Sequence, residues 1–263
     1  MSDCAAQAAR FIAGHRLARL PLPALDPSVR PQSEAAAYAV QELLHDALAA
    51  RGQGMIAGHK IGCTTAVMQA FLRIPNPCAG GVLSSAVHHR KAVFSHGDFL
   101  HVGVECEIVV WMDADLPASL APYDRQSVAA AVGACSAGME VVDDRYVDYK
   151  SLDTPTLIAD DFFDAAVVIG EPYRDWRSLD LSALGGATRI NDREVGRGRG
   201  ADVMGHPLEA LAWLANSLAQ RGQYLRKGQF VFTGSLVETK WVDRGDCVVM
   251  EVEGLGTVEA EFV

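Results

Sequence analysis

Residues 102–112 read VGVECEIVVWM, and this alternating stretch decides the fold of the chain. A period of two residues is typical of a β-strand, in which successive side chains point to opposite faces. One face of the predicted strand is apolar and carries Val102, Val104, Cys106, Ile108 and Val110. The opposite face carries Gly103, Glu105, Glu107, Val109 and Trp111. The stretch therefore predicts a strand that packs one face into a core and presents two carboxylates together on the other.

Glu105 and Glu107 permit two interpretations. Side chains at positions i and i+2 of a strand share a face and lie about 6–7 Å apart. Burying two like charges as bare anions costs free energy, and a divalent cation between them removes that cost. Because no cluster of His or Cys lies nearby in the sequence, oxygen ligands of this kind favour Mg²⁺ or Mn²⁺ over Zn²⁺. The alternative is an ordinary solvated acidic face, and the spacing alone favours that alternative.

Three helices are predicted, of which one precedes this strand in the sequence and two follow it. Ser33 can cap a helix over residues 33–51, which ends at a glycine. Pro207 suits the first turn of a second helix, and Gly222 ends it. Another helix is predicted over residues 126–140, so that Glu140 lies at its end.

The remaining pattern is rich in short strands. Residues 164–170 predict a buried strand, and residues 188–195 predict a hairpin with Asn191-Asp192 at its turn. The tail from residue 229 predicts short strands separated by glycines, whereas residues 75–81, PNPCAGG, predict irregular structure.

The fold class that follows is α+β, with helices packed outside a β-rich body. We expect residues 1–70 to form an N-terminal helical portion. Residues 71–263 are expected to form the β-rich catalytic body, as one structural unit.

Composition and charge exclude several classes of protein. The chain has 263 residues, of which 49% are hydrophobic and 21% charged, as in globular proteins. Its formal charge of −10 argues against nucleic-acid binding. No apolar run reaches about 18 residues and the first residues lack a secretory signal, so we expect a cytoplasmic protein that contacts no membrane. Its cysteines form no CxxC unit, which indicates free thiols and not a structural zinc site.

Three further polar residues are candidates for chemistry, and each is a weak signal by itself. Lys60 lies between two glycines of the segment GHKIG, where a bare backbone lets a ligand approach closely. Glu140 can supply a third carboxylate. Ser235 ends a Thr-Gly-Ser turn, whose N–H and hydroxyl donors suit a carboxylate ligand. The alternatives are a surface lysine, a charge at a helix end and a plain turn.

Taken together, the order of these segments resembles one enzyme family. The chain is similar to the 2-hydroxypentadienoate hydratase and 4-oxalocrotonate decarboxylase family, within the fumarylacetoacetate hydrolase superfamily. The segments that carry the resemblance are GHKIG at 58–62, VECEI at 104–108, EVVDDR at 140–145, IAD at 158–160, GHPL at 205–208, AWLAN at 212–216 and TGS at 233–235.

The resemblance implies a mixed β-roll or barrel-like body of the fumarylacetoacetate hydrolase type. It implies that Glu105, Glu107 and Glu140 hold Mg²⁺ or Mn²⁺ and that Lys60 is catalytic. Substrate binding falls to three positions, which are Ser235, Asp160 and Gly62. Members of this family assemble as homo-oligomers, so we expect one here, and a complex with a pathway enzyme is a further expectation.

The activity implied is that of a lyase in aromatic meta-cleavage catabolism. A 2-hydroxy-2,4-dienoate would become the 2-oxo-enoate, and addition of water at carbon 4 would give a 4-hydroxy-2-oxo acid. Cys78 stands where many hydratases of the family carry an acidic residue, and Asp160-Asp161 stands where they carry Asp-Asn.

Other reactions stay open. One is a 4-oxalocrotonate-type decarboxylase, for which Arg73 is a candidate partner of the distal carboxylate. A tautomerase or C–C hydrolase of the same superfamily is another. The hypothesis from a different class is a non-catalytic partner subunit.

Overall fold

The computed structural model describes residues 3–72 and 74–263, so Arg73 lies outside the described residues. The helices are α1 (Asp3–Ala18), α2 (Glu34–Leu48), α3 (Ala66–Leu72), α4 (Arg125–Ala131), α5 (Thr154–Ala159) and α6 (Pro207–Gln220). The first strands are β1 (Ile56–Gly62), β2 (Cys78–Leu83), β3 (Val87–His89), β4 (Lys91–Phe94), β5 (Val102–Met112), β6 (Val132–Asp143) and β7 (Asp164–Ile169). The later strands are β8 (Gly185–Ile190), β9 (Arg193–Arg199), β10 (Phe230–Ser235), β11 (Lys240–Trp241), β12 (Cys247–Val252) and β13 (Gly256–Phe262).

The larger of the two sheets formed by the described residues has β5 near its centre. Its strand order is β2-β1-β10-β5-β6-β7-β3, and β11 pairs with β5 outside this path. β5 pairs antiparallel with β6 along its whole length, from Val102 opposite Asp143 to Met112 opposite Val132. β2, at one edge, contacts β7 near the other edge, so the sheet curls into a barrel-like roll.

The smaller sheet has the strand order β4-β13-β12-β8-β9. Its strands β12 and β13 contact β6 of the larger sheet. The main hydrophobic core unites the helices with both sheets, and the apolar face of β5 lies within it.

A second, smaller apolar cluster fills the inside of the roll. Its members come from alternate positions of β2, β5, β7 and β10: Val82, Val109, Val167, Ile169, Phe230 and Phe232. Since side chains alternate along a strand, Glu105 and Glu107 share this inner face with Val109. The inside of the roll is therefore apolar in one part and acidic in another.

The sequence predicted much of this architecture. The strand predicted at 102–112 has those bounds, and the helix that begins at Pro207 is confirmed. The side chain of Ser33 accepts a hydrogen bond from the Ala36 N–H, as expected of a helix cap. The turn of the β8–β9 hairpin is Asn191-Asp192, and both residues have positive φ.

The helix predicted over residues 126–140 is wrong. Its helical part, α4, ends at Ala131, and β6 begins at Val132. The segment that follows is rich in small residues and has no strong local preference for helix or strand. Pairing with β5 and β7 therefore determines its conformation. As a consequence Glu140 lies in the middle of a sheet and directly opposite Glu105.

The irregular structure predicted over residues 75–81 is also wrong in part. β2 begins at Cys78 and pairs antiparallel with β1. Packing requires glycine at position 80 of this strand, because a Cβ there would lie 2.6 Å from the Asp161 carbonyl oxygen. Glycine therefore marks a close approach here and not a chain break.

The N-terminal portion is joined to the body by more than its helices. α2 packs on α1 and α5, but β1 lies inside the larger sheet, between β2 and β10. A boundary at residue 70 would thus cut between neighbouring strands of one sheet. None of the helices in the described residues combines the length and the apolar character that crossing a bilayer requires.

Candidate metal centre and active site

Three carboxylates meet on the inner face of the roll. Glu105 and Glu107 project from β5, and Glu140 projects from β6 at the register position opposite Glu105. One oxygen from each residue lies within 4.8 Å of the others. The pair predicted from the spacing on β5 is therefore joined by the third residue that the resemblance implied.

Burial makes this cluster unfavourable without a cation. The side chains of Glu107 and Glu140 are 0% exposed. Burial raises the pKa of Glu140 to about 8. The Lys60 ammonium acts against this change, whereas the charge of Glu105 adds to it. Burial and the charges of Glu140 and Glu105 raise the pKa of Glu107 well above its usual range. The solvated acidic face, which the spacing alone favoured, is thus wrong.

The donor set fits a hard divalent cation. Glu107 Oε1 and Glu140 Oε2 are buried and accept no hydrogen bond from the described residues. Buried polar atoms normally have a partner, so these two oxygens have capacity left for a ligand. Carboxylate oxygens are the ligands that Mg²⁺ and Mn²⁺ prefer. Glu105, Glu107 and Glu140 would together hold such an ion.

Two neighbours orient these carboxylates. The Gly234 N–H donates to Glu107 Oε2 at 2.7 Å, and the Thr239 hydroxyl donates to Glu105 Oε1. Gly234 has a φ of +118°, and a Cβ there would lie 2.5 Å from Thr64. Only glycine therefore brings this N–H to Glu107 without strain.

Lys60 lies beside the carboxylates and is 2% exposed. Its Nζ is 2.9 Å from Glu140 Oε1 and donates to the Phe162 carbonyl at 2.9 Å. Burial opposes the charge of the amine, but the carboxylates of Glu140 and Glu105 outweigh burial and raise the pKa of Lys60. Lys60 is therefore an ammonium that is held at two points.

Ser235 and Gly62 lie close to this centre. Ser235 pairs with Glu107 across β10 and β5, and its hydroxyl donates to the Val237 carbonyl. A Cβ at Gly62 would lie 2.9 Å from the Phe162 ring and 3.5 Å from Lys60 Nζ. Substrate contacts by these two residues stay predictions.

Asp160 belongs to a separate, buried ionic cluster. It is 0% exposed, and its carboxylate lies 3.6 Å from Arg16 Nη1 and 3.5 Å from Arg145 Nε. Burial raises its pKa although both guanidinium groups act against that change. Asp160 is thus not one of the carboxylates of the metal cluster, and its contact with substrate stays a prediction.

Cys78 is buried in β2 opposite Gly62. A hydrogen bond with Cys63 and burial raise the pKa of the Cys78 thiol. A thiol held neutral in this way does not replace the carboxylate that the sequence resemblance led us to expect here in many hydratases.

Sequence reasoning missed several residues that shape the centre. Phe162 holds Lys60 through a backbone carbonyl, and a carbonyl leaves no signal in side-chain identity. Thr239 has no motif of its own. Gly234 was noticed only as part of a turn, whereas its N–H binds a carboxylate of the protein itself.

Comparison with known proteins agrees with this geometry. The family model described as fumarylacetoacetate (FAA) hydrolase C-terminal matches residues 74–263. A 2-keto-4-pentenoate hydratase of Paraburkholderia phymatum is 33% identical over 239 residues, which cover 88% of this chain and 87% of that protein. A 4-oxalocrotonate decarboxylase of Pseudomonas putida is 31% identical over 227 residues, which cover 86% of this chain and 84% of that protein.

A solved structure is similar over nearly the whole chain. It is the 4-oxalocrotonate decarboxylase from Pseudomonas putida G7, complexed with magnesium and adipate. The TM-score is 0.92 at 29% identity, over 98% of this chain and 97% of that one. The family and the roll-like fold that the sequence motifs implied are therefore confirmed.

Proposed function

Because this chain belongs to the fumarylacetoacetate hydrolase family, we propose that it is a divalent-metal-dependent hydratase of 2-hydroxy-2,4-dienoates. Its product would be a 4-hydroxy-2-oxo acid. Relatives named 2-keto-4-pentenoate hydratase and 2-hydroxyhexa-2,4-dienoate hydratase support a lyase of this class.

One observation carries the proposal. Three carboxylates gather in a buried place with oxygens left unpartnered among the described residues, and a lysine ammonium lies at their side. Mg²⁺ or Mn²⁺ bound there would supply a Lewis acid that polarises the 2-oxygen of a 2-oxo acid.

The remaining chemistry falls to residues of this chain. Lys60 uses N–H groups toward Phe162 and Glu140, and a third N–H can hold a substrate carboxylate or deliver a proton. Gly62 lies beside this amine and Ser235 lies opposite Glu107, and both are proposed to contact the substrate. For Asp160, a role through its neighbours fits its ionic cluster better than direct contact with substrate.

The test is an assay of purified protein with 2-hydroxypentadienoate and with 2-oxo-3-hexenedioate, each with Mg²⁺ and with a chelator. We expect Mg²⁺-dependent hydration of the first compound. Lys60→Ala should lose turnover by about 100-fold or more while calorimetry still detects Mg²⁺. Release of CO₂ from the second compound without hydration of the first would contradict the hydratase.

A decarboxylase is the second candidate, and a specific observation favours it. The solved structure with a TM-score of 0.92 is a 4-oxalocrotonate decarboxylase whose complex contains adipate, a dicarboxylate. The buried thiol of Cys78 points the same way, since its raised pKa keeps it protonated and it cannot take up a proton from the attacking water as a carboxylate could. The CO₂ measurement separates the two reactions.

The chain's assembly is a further part of the proposal. We expect a homo-oligomer, which sedimentation velocity would detect. A metal-bound protein that turned over neither compound but co-purified with another pathway enzyme would instead indicate a non-catalytic partner subunit.

A further inference from the structure

The turn at residues 161–163 has an unusual backbone. Asp161, Phe162 and Phe163 have φ values of +57°, +52° and +69°. Side chains other than glycine disfavour this left-handed region, so three such residues in succession persist only where their surroundings hold them.

The side chain of Asp161 supplies much of that hold. It is 0% exposed, and its Oδ1 accepts the Gly81 N–H at 2.9 Å and lies 2.6 Å from His45 Nε2. Its Oδ2 accepts a hydrogen bond from Arg16 Nη1 at 2.8 Å. The turn is thereby tied to β2, to α2 and to the C-terminal end of α1.

Arginine side chains also hold both flanks of the turn. Arg16 and Arg145 lie beside the Asp160 carboxylate, which precedes the turn. Both also donate to the carbonyl of Asp164, which follows it. Arg16 is therefore shared between the turn and its two ends.

The 161–163 turn also holds Lys60. Its central carbonyl, that of Phe162, accepts from Lys60 Nζ, and the Phe162 ring centroid lies 5.4 Å from the same atom. The other partner of Lys60, Glu140, belongs to the carboxylate cluster and would share its charge with a cation. The Phe162 carbonyl is neutral and remains available to Lys60 whether or not a cation is bound.

We propose that Asp161 and Arg16 are positioning residues for the Lys60 amine, which they place through the 161–163 turn and the Phe162 carbonyl. The proposal rests on the proposed function of Lys60. It gives α1, which contributes no residue to the carboxylate cluster, a defined part in the reaction.

The experiment compares Asp161→Ala, Arg16→Met and Arg16→Lys with a matched control, Arg19→Met. Arg19 directly follows the last residue of α1, and its ion pair with Asp98 is exposed. In the Mg²⁺-loaded protein we expect kcat to fall about 10-fold or more in the first two variants, since a displacement of about 1 Å can cost about 100-fold. Mg²⁺ affinity should stay near wild type, Arg16→Lys should recover most of kcat, and Arg19→Met should match wild type.

A crystal structure of Asp161→Ala gives a readout that does not depend on turnover. We expect the Phe162 carbonyl to have left hydrogen-bond distance of Lys60 Nζ. If Asp161→Ala does not fold, the same measurement on Arg16→Met decides. An unchanged kcat, an undisplaced carbonyl, or an equal loss in Arg19→Met would overturn the proposal. If wild type turns over no compound, the proposed function fails, and the position of the carbonyl in the variant still decides whether Asp161 and Arg16 place the amine.

Discussion

Among the three carboxylates, Glu107 is the one whose surroundings constrain it most. It is 0% exposed, one oxygen is fixed by the Gly234 N–H, and the other has no hydrogen bond from the described residues. Its place next to Glu140 raises the cost of charging both groups. A bound cation would relieve both the burial of this charge and its repulsion from Glu140. The residue therefore matters more for binding a metal than for stability alone.

Glu107→Gln should therefore weaken Mg²⁺ binding strongly. The amide keeps a similar shape and an acceptor for Gly234 but removes a ligand charge. Even partners beyond the direct ligands typically contribute about 10–100-fold in affinity, so we expect a loss of at least about 10-fold for a ligand itself. Calorimetry measures it, and the exposed Glu171→Gln serves as the control. An affinity equal to that of the control would refute the ligand assignment.

Binding of Mg²⁺ should depend on pH. Burial and neighbouring charges raise the pKa of Glu140 from 4.5 to about 8, so the metal-free site holds protons near neutral pH. Metal binding must release them, so affinity should rise with pH through the range in which Glu140 and Glu107 titrate. Calorimetry in two buffers of different ionisation enthalpy counts the released protons, and binding with no proton release would contradict the raised pKa.

The same shift acts on the metal-free fold. Between pH 4.5 and about 8 the folded state binds more protons at Glu140 than the unfolded chain does. Its contribution to the free energy of unfolding is therefore present at low pH and is lost as pH rises through that window. Saturating Mg²⁺ should remove this trend.

At the scale of elements, β6 determines the site. It was predicted as helix, yet its pairing with β5 sets Glu140 opposite Glu105 and Gly138 opposite Glu107. The inner face of β6 must also leave room for the apolar cluster inside the roll. A Cβ at Gly138 would lie 2.3 Å from Val109 Cγ2 and 2.7 Å from the Phe232 ring.

Gly138→Ala should accordingly destabilise the protein. Overpacking a filled interior costs about 1–3 kcal/mol, and here it would also push β6 away from β5. Urea unfolding measures the loss. The control is Gly14→Ala in α1, where a Cβ meets nothing within 4 Å and helix propensity predicts a gain of up to about 1 kcal/mol. Equal stability of the two variants would show that the inside of the roll is not closely packed.

On the scale of the whole molecule, the N-terminal portion and the body share a sheet. β1 carries Lys60 and pairs with β2 and β10, while β5 and β6 carry the carboxylates. The centre is thus assembled from both portions. When the protein unfolds, we expect the larger sheet and the carboxylate site to be lost together.

We therefore predict one cooperative unfolding transition. Tryptophan fluorescence, which reports residues beyond 110, and far-UV circular dichroism should give the same urea midpoint. Mg²⁺ at about 100 times its Kd should add about 2.7 kcal/mol to the free energy of unfolding. Two separated transitions would instead indicate that residues 1–70 fold independently of the body.

The sequence by itself determined the features that depend on local order along the chain. Period-two alternation identified β5 with its two carboxylates, and a proline and a glycine marked the ends of α6. The order of motifs implied the family. These signals are local because strand alternation and helix caps arise from residues a few positions apart.

Only the tertiary structure decided that Glu140 lies in a strand, that the acidic face is buried and that the Phe162 carbonyl holds Lys60. Each of these facts depends on partners distant in sequence. Register between β5 and β6 is set by packing on both faces of the sheet, and a backbone carbonyl has no residue type to reveal it. The position of Asp161 between Arg16, His45 and Gly81 likewise exists only once three separate elements have come together.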